Sequence, residues 1–345
     1  MSGVVPVDFH NSAAVFSLWP YPDNLVQPCW FISFEPFSAH HFLLTLKTPV
    51  SSHDPLENTV FTVGDFLNLA TDDLQHAGIS RPSFEAQYLL QAVLNINKAS
   101  LLLAIQKKFT PEQASLFRSM VARRLQGEPL QYIVGTVEFW SRRFRVTPDV
   151  LIPRQETEFV VEQALGLLKK HYSCTSDLKL LDMGTGSGVI ADVLADELGC
   201  SILAVDISVQ ALAVAAGNIR NHDLQEKITL VCSDLFSAIS QCQYFDCIVA
   251  NPPYVAEQEK DELPSEVAEY EPGQALFAGL DGLECYRRLI PESISFLRSQ
   301  GWLILEIGAF QEHEIEEMFR ENNYRNIAIR PDYAGRPRFA CGQKE

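Results

Sequence analysis

One segment near the middle of the chain constrains the fold more than any other. Residues 180–183 form a short apolar run, as a buried strand would, and residues 184–188 read Gly-Thr-Gly-Ser-Gly. Residues 189–198 have a helical pattern, and residues 202–205 form a second apolar run that ends at Asp206. A buried strand, a glycine-rich turn, a helix and a second buried strand are the repeating unit of a parallel sheet.

The same alternation continues to the end of the chain. From about residue 156 onward, helical patterns alternate with short apolar runs. The predicted strands lie near residues 179–183, 201–206, 228–232, 245–250, 301–307, 326–330 and 337–341. Such alternation predicts an α/β fold with a mostly parallel sheet covered by helices on both faces.

The glycine-rich turn marks a place where a ligand can approach the backbone closely. The dinucleotide-binding pattern requires a third glycine at position 189, where this chain has Val189, so the turn argues against NAD. Asp206 ends a strand about twenty residues further on, where a carboxylate accepts hydrogen bonds from a ribose diol. Turn and acid together indicate a nucleoside cofactor, and the Asp-x-Gly-x-Gly-x-Gly form of residues 182–188 favours S-adenosylmethionine.

A second motif, Asn251-Pro252-Pro253-Tyr254, follows the apolar run at residues 245–250. A buried strand thus delivers these side chains to its carboxyl end, which is the edge where open α/β sheets bind ligands. Prolines have no backbone N–H, so the motif offers carbonyls and the Asn251 side-chain oxygen as acceptors. Acceptors beside an aromatic ring are suited to holding an –NH2 group flat. The motif therefore predicts that the substrate is a planar nitrogen nucleophile.

Composition limits the partners and the compartment. A net charge of −17 and a pI near 4.9 argue against a general nucleic-acid binder, which requires a basic face. The eight cysteines include no Cys-x-x-Cys pair and no zinc-finger spacing, which is typical of reduced thiols in the cytoplasm. The chain has no apolar run long enough to span a bilayer and no signal-peptide pattern. We therefore expect a cytoplasmic protein without nucleic-acid or membrane partners.

The sequence pattern divides the chain into four segments. They are an extension of unknown role at residues 1–60, a helical bundle at 62–125, a connector with a hairpin at 126–155 and the α/β domain at 156–345. Thr62 with Asp65, and Thr110 with Gln113, have the spacing of capping boxes and predict two helix starts in the bundle. The bundle is either a packing module or a substrate-docking domain, and the sequence favours neither.

These motifs together resemble those of the HemK/PrmC family, the N5-glutamine methyltransferases of peptide-chain release factors. The resemblance covers about residues 62–343 and includes the 182–188 and 251–254 motifs. Its other matching stretches are Gly127-Glu128-Pro129-Leu130-Gln131-Tyr132, Phe139-Trp140, Leu151-Ile152-Pro153-Arg154, Glu271-Pro272, Ala275-Leu276-Phe277, Asp281-Gly282-Leu283 and Glu306-Ile307-Gly308. One departure is Gln155, where the family usually has proline, and this change loosens a turn near the site.

The resemblance implies a fold and an activity. The fold is a Rossmann-like, seven-stranded methyltransferase sheet whose last strand is antiparallel, preceded by a small N-terminal helical bundle. The activity is S-adenosylmethionine-dependent methylation of the side-chain nitrogen N5 of a glutamine in the Gly-Gly-Gln loop of class I release factors. We expect the enzyme to act as a monomer on this protein substrate.

The resemblance also implies the site residues and no metal. Those around the cofactor are Asp182, Gly184, Thr185, Gly186, Ser187, Gly188, Asp206, Asp234, Leu235 and Asn251. Those around the substrate glutamine are Asn251, Pro252, Pro253 and Tyr254.

Roles for these residues follow from their chemistry. The Asn251 side chain and the Pro252 carbonyl are the expected acceptors for the substrate N–H bonds, and Tyr254 is expected to stack on the amide plane. Asp234 is placed to accept from the adenine amino group, and Leu235 to cover the adenine ring. The structural alternatives are a helix N-cap for Asp206 and an ordinary turn for Asp234.

Three other functions are compatible with parts of the sequence. An adenine-N6 DNA or RNA methyltransferase would grip an exocyclic amine with the same four residues after flipping the base. The acidic charge and the Ile-Pro-Arg segment argue against it. A glutamine methyltransferase of a ribosomal protein is barely distinguished by sequence. The intact motifs argue against a third possibility, a cofactor-binding scaffold without catalytic activity.

Overall fold

The computed structural model describes residues 61–241 and 244–345, and the expected extension at residues 1–60 lies outside them. The described chain begins with four helices that pack on one apolar core. These helices are α1 Val63–His76, α2 Pro82–Leu94, α3 Lys98–Ala104 and α4 Pro111–Leu125.

Both predicted capping boxes are confirmed. The Thr62 hydroxyl accepts from the Asp65 backbone N–H at 3.2 Å, and the Asp65 carboxylate accepts from the Thr62 N–H at 2.8 Å. Thr110 and Gln113 exchange the same two bonds at the start of α4. Each box pairs backbone donors that a helix start would otherwise leave without partners.

The connector contains a short helix and the predicted hairpin. Its elements are α5 Leu130–Val134, β1 Thr136–Phe139 and β2 Arg142–Arg145. Trp140 and Ser141 form the two-residue turn, and both have positive φ, as tight hairpin turns require. The next helix, α6 Gln155–His171, begins at the residue that departs from the family pattern. Proline suits the first position of a helix but is not required there, so Gln155 is compatible with the same helix start.

Seven strands form the main sheet, which confirms the expected fold class. They are β3 Lys179–Met183, β4 Ser201–Asp206, β5 Ile228–Cys232, β6 Phe245–Ala250, β7 Leu297–Glu306, β8 Arg325–Pro331 and β9 Pro337–Gln343. Their order is β5-β4-β3-β6-β7-β9-β8; β9 is antiparallel to both of its neighbours, and the other neighbouring pairs are parallel. Strand β7 begins four residues earlier than expected, because Leu297 pairs with Phe245 before an irregularity in the register.

Helices cover both faces of this sheet. The helices that follow β3 are α7 Val189–Leu198, α8 Val209–Asn221, α9 Ser265–Tyr270, α10 Gly273–Leu276, α11 Glu284–Ser293 and α12 Glu312–Glu321, with a 3-10 helix at Glu257–Glu262. Apolar residues of α6, α7 and α8 pack on one face, and those of α11 and α12 pack on the other. None of the helices in the described ranges is both long and apolar enough to cross a membrane.

The strand order creates a crevice beside the glycine-rich turn. From β3 the chain continues outward through β4 and β5, whereas β6 and β7 lie on the opposite side of β3. The carboxyl ends of β3 and β6 are therefore neighbours from which the chain leaves in opposite directions. Open α/β sheets bind ligands at such a switch point.

Candidate functional site

A cavity of about 330 Å³ lies at the carboxyl edge of β3, β4, β5 and β6. This volume is within the range of small-molecule sites. Its wall includes residues 183–187, 206–208, 233–235 and 251–253. The structure thus brings the predicted cofactor motif and most of the predicted substrate motif together around one space.

The glycine-rich turn has a conformation that requires glycine. Gly184, Gly186 and Gly188 have φ values of +75°, +54° and +86°, a region that side-chain-bearing residues rarely adopt. The N–H groups of Gly184 and Thr185 both donate to the Val205 carbonyl, at 2.8 and 2.9 Å. Main-chain bonds to the neighbouring strand therefore fix the position of the turn at the cavity.

Asp182 lies behind this turn and not in the cavity wall. Its side chain is fully buried, and Oδ2 accepts from the Thr185 hydroxyl at 2.6 Å and from the Ala191 N–H at 3.1 Å. Burial raises the pKa of Asp182 to about 7, although these two hydrogen bonds oppose the shift. The carboxylate ties the turn to the first residues of α7, and its expected contact with the cofactor stays a prediction.

Asp206 lies in the cavity wall at the end of β4. Its carboxylate accepts from the Gly186 N–H at 2.8 Å and from the Ser208 N–H at 2.9 Å. Burial raises the pKa of Asp206, whereas these hydrogen bonds lower it. The N-cap of α8 is Ser208, whose hydroxyl accepts from Ala211. A carboxylate has about four lone-pair positions, so Asp206 keeps acceptors for a ligand's hydroxyl groups.

Asp234 and Leu235 also line the cavity, after β5. The Asp234 carboxylate is half exposed and accepts from Arg288 through both oxygens, each at 3.0 Å. Leu235 has a φ of +46°, an unfavourable conformation for this residue type. The structure therefore gives Asp234 a protein partner that the sequence did not indicate.

Asn251 reaches the cavity from the end of β6. Its side-chain NH2 donates to the Thr157 hydroxyl at 3.2 Å, so the amide oxygen is the end that remains for another partner. Pro252 and Pro253 line the same wall. Prolines contribute no N–H donors there.

Tyr254 lies outside the cavity wall. Its hydroxyl donates to Glu306 Oε1 at 3.4 Å, and the Arg338 guanidinium lies 5.9 Å from the ring centroid. Burial raises the pKa of Tyr254, so the hydroxyl stays protonated. The expected stacking of this ring on a substrate amide stays a prediction.

Two polar residues that were not predicted as site residues complete the site, although Glu306 belongs to one of the matching stretches. The Thr157 hydroxyl on α6 donates to Glu306 Oε2 at 2.7 Å, and Thr157 also lines the cavity. Glu306 ends β7, is fully buried, and has a pKa raised by burial to about 7. An acid directly after an apolar strand was the available signal for Glu306, since the same pattern identified Asp206. Thr157 belongs to the run Glu156-Thr157-Glu158, which follows Gln155 and matches the family pattern, and that match was the available signal for it.

Another buried acid, Glu271, fixes the segment before α6. Glu271 accepts from the Ile152 N–H at 3.2 Å and pairs with the Arg154 guanidinium. Burial raises the pKa of Glu271, and Arg154 opposes the shift. This contact holds residues 151–154 against the loop around α9 and α10, which contributes to the cavity wall.

The cavity fits a nucleoside cofactor. Space lies open at Gly186, where an added Cβ would meet no atom within 4 Å, and Asp206 offers acceptors beside it. No cluster of three or more ligating side chains that could hold a metal occurs in the described part of the chain.

Two family models and several known proteins are similar to this chain. The PrmC N-terminal domain family matches residues 65–135, and the methyltransferase small domain family matches residues 160–268. A release factor glutamine methyltransferase of Rhodopirellula baltica is 37% identical over 83% of this chain and 98% of its own length. One of Moorella thermoacetica is 40% identical over 80% of this chain and 96% of its own.

A solved structure, a T. thermophilus 16S rRNA N2 G1207 methyltransferase in complex with AdoMet and guanosine, is 16% identical. The structural match covers 61% of this chain and 50% of the solved chain, with a TM-score of 0.46. The sequence relatives match over nearly their whole length. The chain therefore belongs to the release factor glutamine methyltransferase family.

Proposed function

We propose that this protein transfers a methyl group from S-adenosylmethionine to N5 of the glutamine in the Gly-Gly-Gln loop of class I release factors. The observation that supports this most strongly is the environment of Asn251. Its amide NH2 is bonded to Thr157, so its oxygen is free to accept, and it stands beside two prolines in the wall that also contains the glycine-rich turn. The names of the sequence relatives, release factor glutamine methyltransferases, supply the substrate class.

The chemical obstacle is the nucleophile. The lone pair of a glutamine amide nitrogen is delocalised into the carbonyl, and an attack through nitrogen requires that this resonance be partly lost. Positive charge then develops on nitrogen, which strengthens hydrogen bonds from its two N–H groups. Acceptors fixed in place bind that state more tightly than the ground state, and this difference accelerates the reaction.

We assign the two acceptors to Asn251 and Pro252. The Asn251 side-chain oxygen and the Pro252 carbonyl would each accept one N–H of the substrate amide. Both residues follow β6, whose residues are all buried and which pairs with a strand on each side, so the acceptors stand at the end of a rigid element. Tyr254, which is bonded to Glu306, would stack on the substrate amide and fix its distance from the methyl carbon. A general base is not required, because the methylated nitrogen can lose its proton to water.

The cofactor-binding residues lie on the other side of the crevice. When bound, S-adenosylmethionine supplies an electrophilic methyl group on a sulfonium. The turn at residues 184–188 would border the cofactor through its backbone, and Asp206 would accept from the ribose hydroxyls. Asp234 and Leu235 would border the adenine ring. Asp182 would act only by supporting the turn.

We further propose a cytoplasmic location and a monomeric enzyme. The substrate itself argues for the location, since release factors act at the ribosome. The acidic net charge of −17 argues that the negative phosphates of nucleic acid are not attracted generally. The adenine and ribosomal-protein alternatives gain no support from the names of these relatives.

Incubation of the protein with methyl-labelled S-adenosylmethionine and a purified release factor tests the function. We expect label in the Gly-Gly-Gln peptide, with a mass increase on the glutamine. A release factor in which that glutamine is replaced by alanine is the matched control and should stay unlabelled. Label in DNA or in a ribosomal protein, with none in the release factor, would reject the proposal.

A further inference from the structure

We propose that Thr157 and Glu306 are positioning residues that determine which end of the Asn251 amide faces the substrate. This inference rests on the proposed function and adds two residues to it. Neither residue belongs to the Asn-Pro-Pro-Tyr motif. Thr157 lies on α6 and Glu306 ends β7, so residues of two other elements would orient the side chain of Asn251, which follows β6.

The direction of the hydrogen bonds carries the argument. An ionised Glu306 has only acceptors, so the bond of 2.7 Å to Oε2 must use the hydroxyl proton of Thr157. The Thr157 oxygen then has only lone pairs to offer to Asn251. Asn251 must therefore donate from its NH2, at 3.2 Å, and its side-chain oxygen points away from Thr157. A buried acid thus sets the orientation of an amide that it does not touch.

The opposite orientation would not serve the reaction. With its amide reversed, Asn251 would present an N–H donor to the N–H donors of the substrate glutamine. Two donors facing each other leave both groups without partners, which costs free energy when the site is closed to water. The developing positive charge on the substrate nitrogen would increase that cost. The Thr157–Glu306 pair therefore excludes the unproductive rotamer.

Glu306 also holds the second side chain of the motif. Its other carboxylate oxygen accepts from the Tyr254 hydroxyl at 3.4 Å, and its backbone carbonyl accepts from the Tyr286 hydroxyl at 2.8 Å. Glu306 itself is fully buried and does not line the cavity. It therefore does not touch a ligand in the cavity, and its side chain acts on the reaction through the two residues that it bonds, Thr157 and Tyr254.

Replacement of the Thr157 hydroxyl by a methyl group tests the first connection. Thr157→Val keeps the shape of the side chain but removes both hydrogen bonds. We expect kcat to fall about 10- to 100-fold, while the Kd for S-adenosylmethionine and the KM for the release factor change less than about threefold. Thr157→Ser restores the hydroxyl and should restore at least about half of the wild-type kcat.

A double-mutant cycle separates positioning from a merely structural role. If Thr157 acts only through Asn251, then Thr157→Val should have almost no further effect in a protein that already carries Asn251→Ala. Single-turnover assays with labelled cofactor measure these low rates. Multiplicative losses in the double variant would contradict the proposal, as would a Thr157→Val protein with wild-type kcat.

A measurement without turnover keeps this test independent of the substrate assignment. In the wild type and in Thr157→Ser, the side-chain NH2 of Asn251 should show slowed hydrogen exchange by NMR; in Thr157→Val it should exchange faster by about tenfold or more. Unchanged exchange would reject the network even in an active enzyme. Failure of the wild type to methylate a release factor would reject the proposed function and leave this result unaffected.

Discussion

The two sides of the crevice are held in place in different ways. On the cofactor side, backbone N–H groups of the turn after β3 donate to the Val205 carbonyl and to the carboxylate of the adjacent Asp206, and these bonds fix the turn. On the substrate side, Asn251 is fixed by side chains that are distant in sequence: Thr157 lies 94 residues away, and Glu306 lies 149 residues from Thr157. Cofactor geometry is thus encoded locally, whereas substrate geometry is assembled by the tertiary fold. Changes on the cofactor side should alter affinity, and changes on the substrate side should alter kcat.

The largest effect should come from Asn251→Ala, on the substrate side. Loss of one fixed acceptor for a developing charge should lower kcat by about 10²- to 10³-fold. The Kd for S-adenosylmethionine should stay within about threefold of wild type, since the cofactor side keeps its main-chain bonds. Asn221→Ala, at the exposed end of α8, is the matched control. Turnover near wild type in Asn251→Ala would contradict the assignment of Asn251 as a substrate acceptor, and with it the expected difference between the two sides.

Gly282→Ala should have the next largest effect. An added Cβ would lie 2.3 Å from the Tyr254 carbonyl oxygen, and Gly282 has a φ of +73°. Tyr254 must then move, so we expect kcat to fall about 10- to 100-fold with cofactor affinity unchanged.

The control for Gly282 is Gly335→Ala. Gly335 has a φ of +80°, but an added Cβ there meets no atom within 4 Å. Gly335→Ala should therefore cost only the backbone strain, about 1–2 kcal/mol, and lower Tm by about 2–8 °C without changing kcat. Equal kcat in the two variants would show that Tyr254 need not be held in place.

Asp206→Ala should be the strongest variant on the cofactor side. It removes a charged acceptor that bonds Gly186 and Ser208. A hydrogen bond to a charged group contributes about 1.5–3 kcal/mol, so the Kd for S-adenosylmethionine should rise about 10- to 150-fold. At saturating cofactor, kcat should return to within about threefold of wild type. Calorimetric titration measures the affinity. A loss of kcat that persists at saturating cofactor would contradict the expectation that the cofactor side affects only affinity.

The acidity of Glu306 gives a smaller, pH-dependent effect on the substrate side. Burial raises its pKa to about 7, and hydrogen bonds from Thr157 and Tyr254 only partly offset this shift. The charged groups that face it are Arg338 on β9, which lowers the pKa, and Glu156 on α6, which raises it. The Tyr286 hydroxyl on α11 faces its backbone carbonyl.

The sign of the pH effect follows from this raised pKa. Above about pH 7 the carboxylate is ionised and accepts from Thr157. As pH falls through this value, Glu306 gains a proton and can itself donate, so the direction of the bond to Thr157 is no longer fixed. We expect kcat to fall on the acid side, approaching tenfold per pH unit. Glu306→Gln cannot titrate and should lack this acid limb; a persisting limb would assign it to another group.

The smallest effect should come from Asp234→Ala. Its carboxylate is half exposed and already paired with Arg288, so solvent screening limits what it contributes. The Kd for S-adenosylmethionine should rise less than about fivefold. Asp281→Ala, which breaks an equally exposed pair with Arg287 outside the cavity wall, is the control. An effect as large as that of Asp206→Ala would show that Asp234 binds the cofactor directly.

The contrast between the two sides also explains which parts of the fold and of the site could be predicted from the sequence. The seven strands were predictable because apolar runs and turn residues are local signals, and the glycine turn identified the edge at which they open. The sequence did not reveal that Asp182 bonds Thr185 and Ala191, because a strand position alone does not say which neighbours a carboxylate meets. The run that contains Thr157 matches the family pattern, but the sequence gives it no partner, and only the fold brings it to Asn251.

The most direct test of the central claim is a crystal structure with S-adenosylhomocysteine and a peptide that contains Gly-Gly-Gln. We predict that the glutamine side-chain nitrogen lies about 3 Å from both the Asn251 side-chain oxygen and the Pro252 carbonyl. The Asn251 NH2 should still point to Thr157, and the cofactor should lie along the turn at residues 184–188. A glutamine nitrogen bound elsewhere, or a cofactor outside this cavity, would contradict the account.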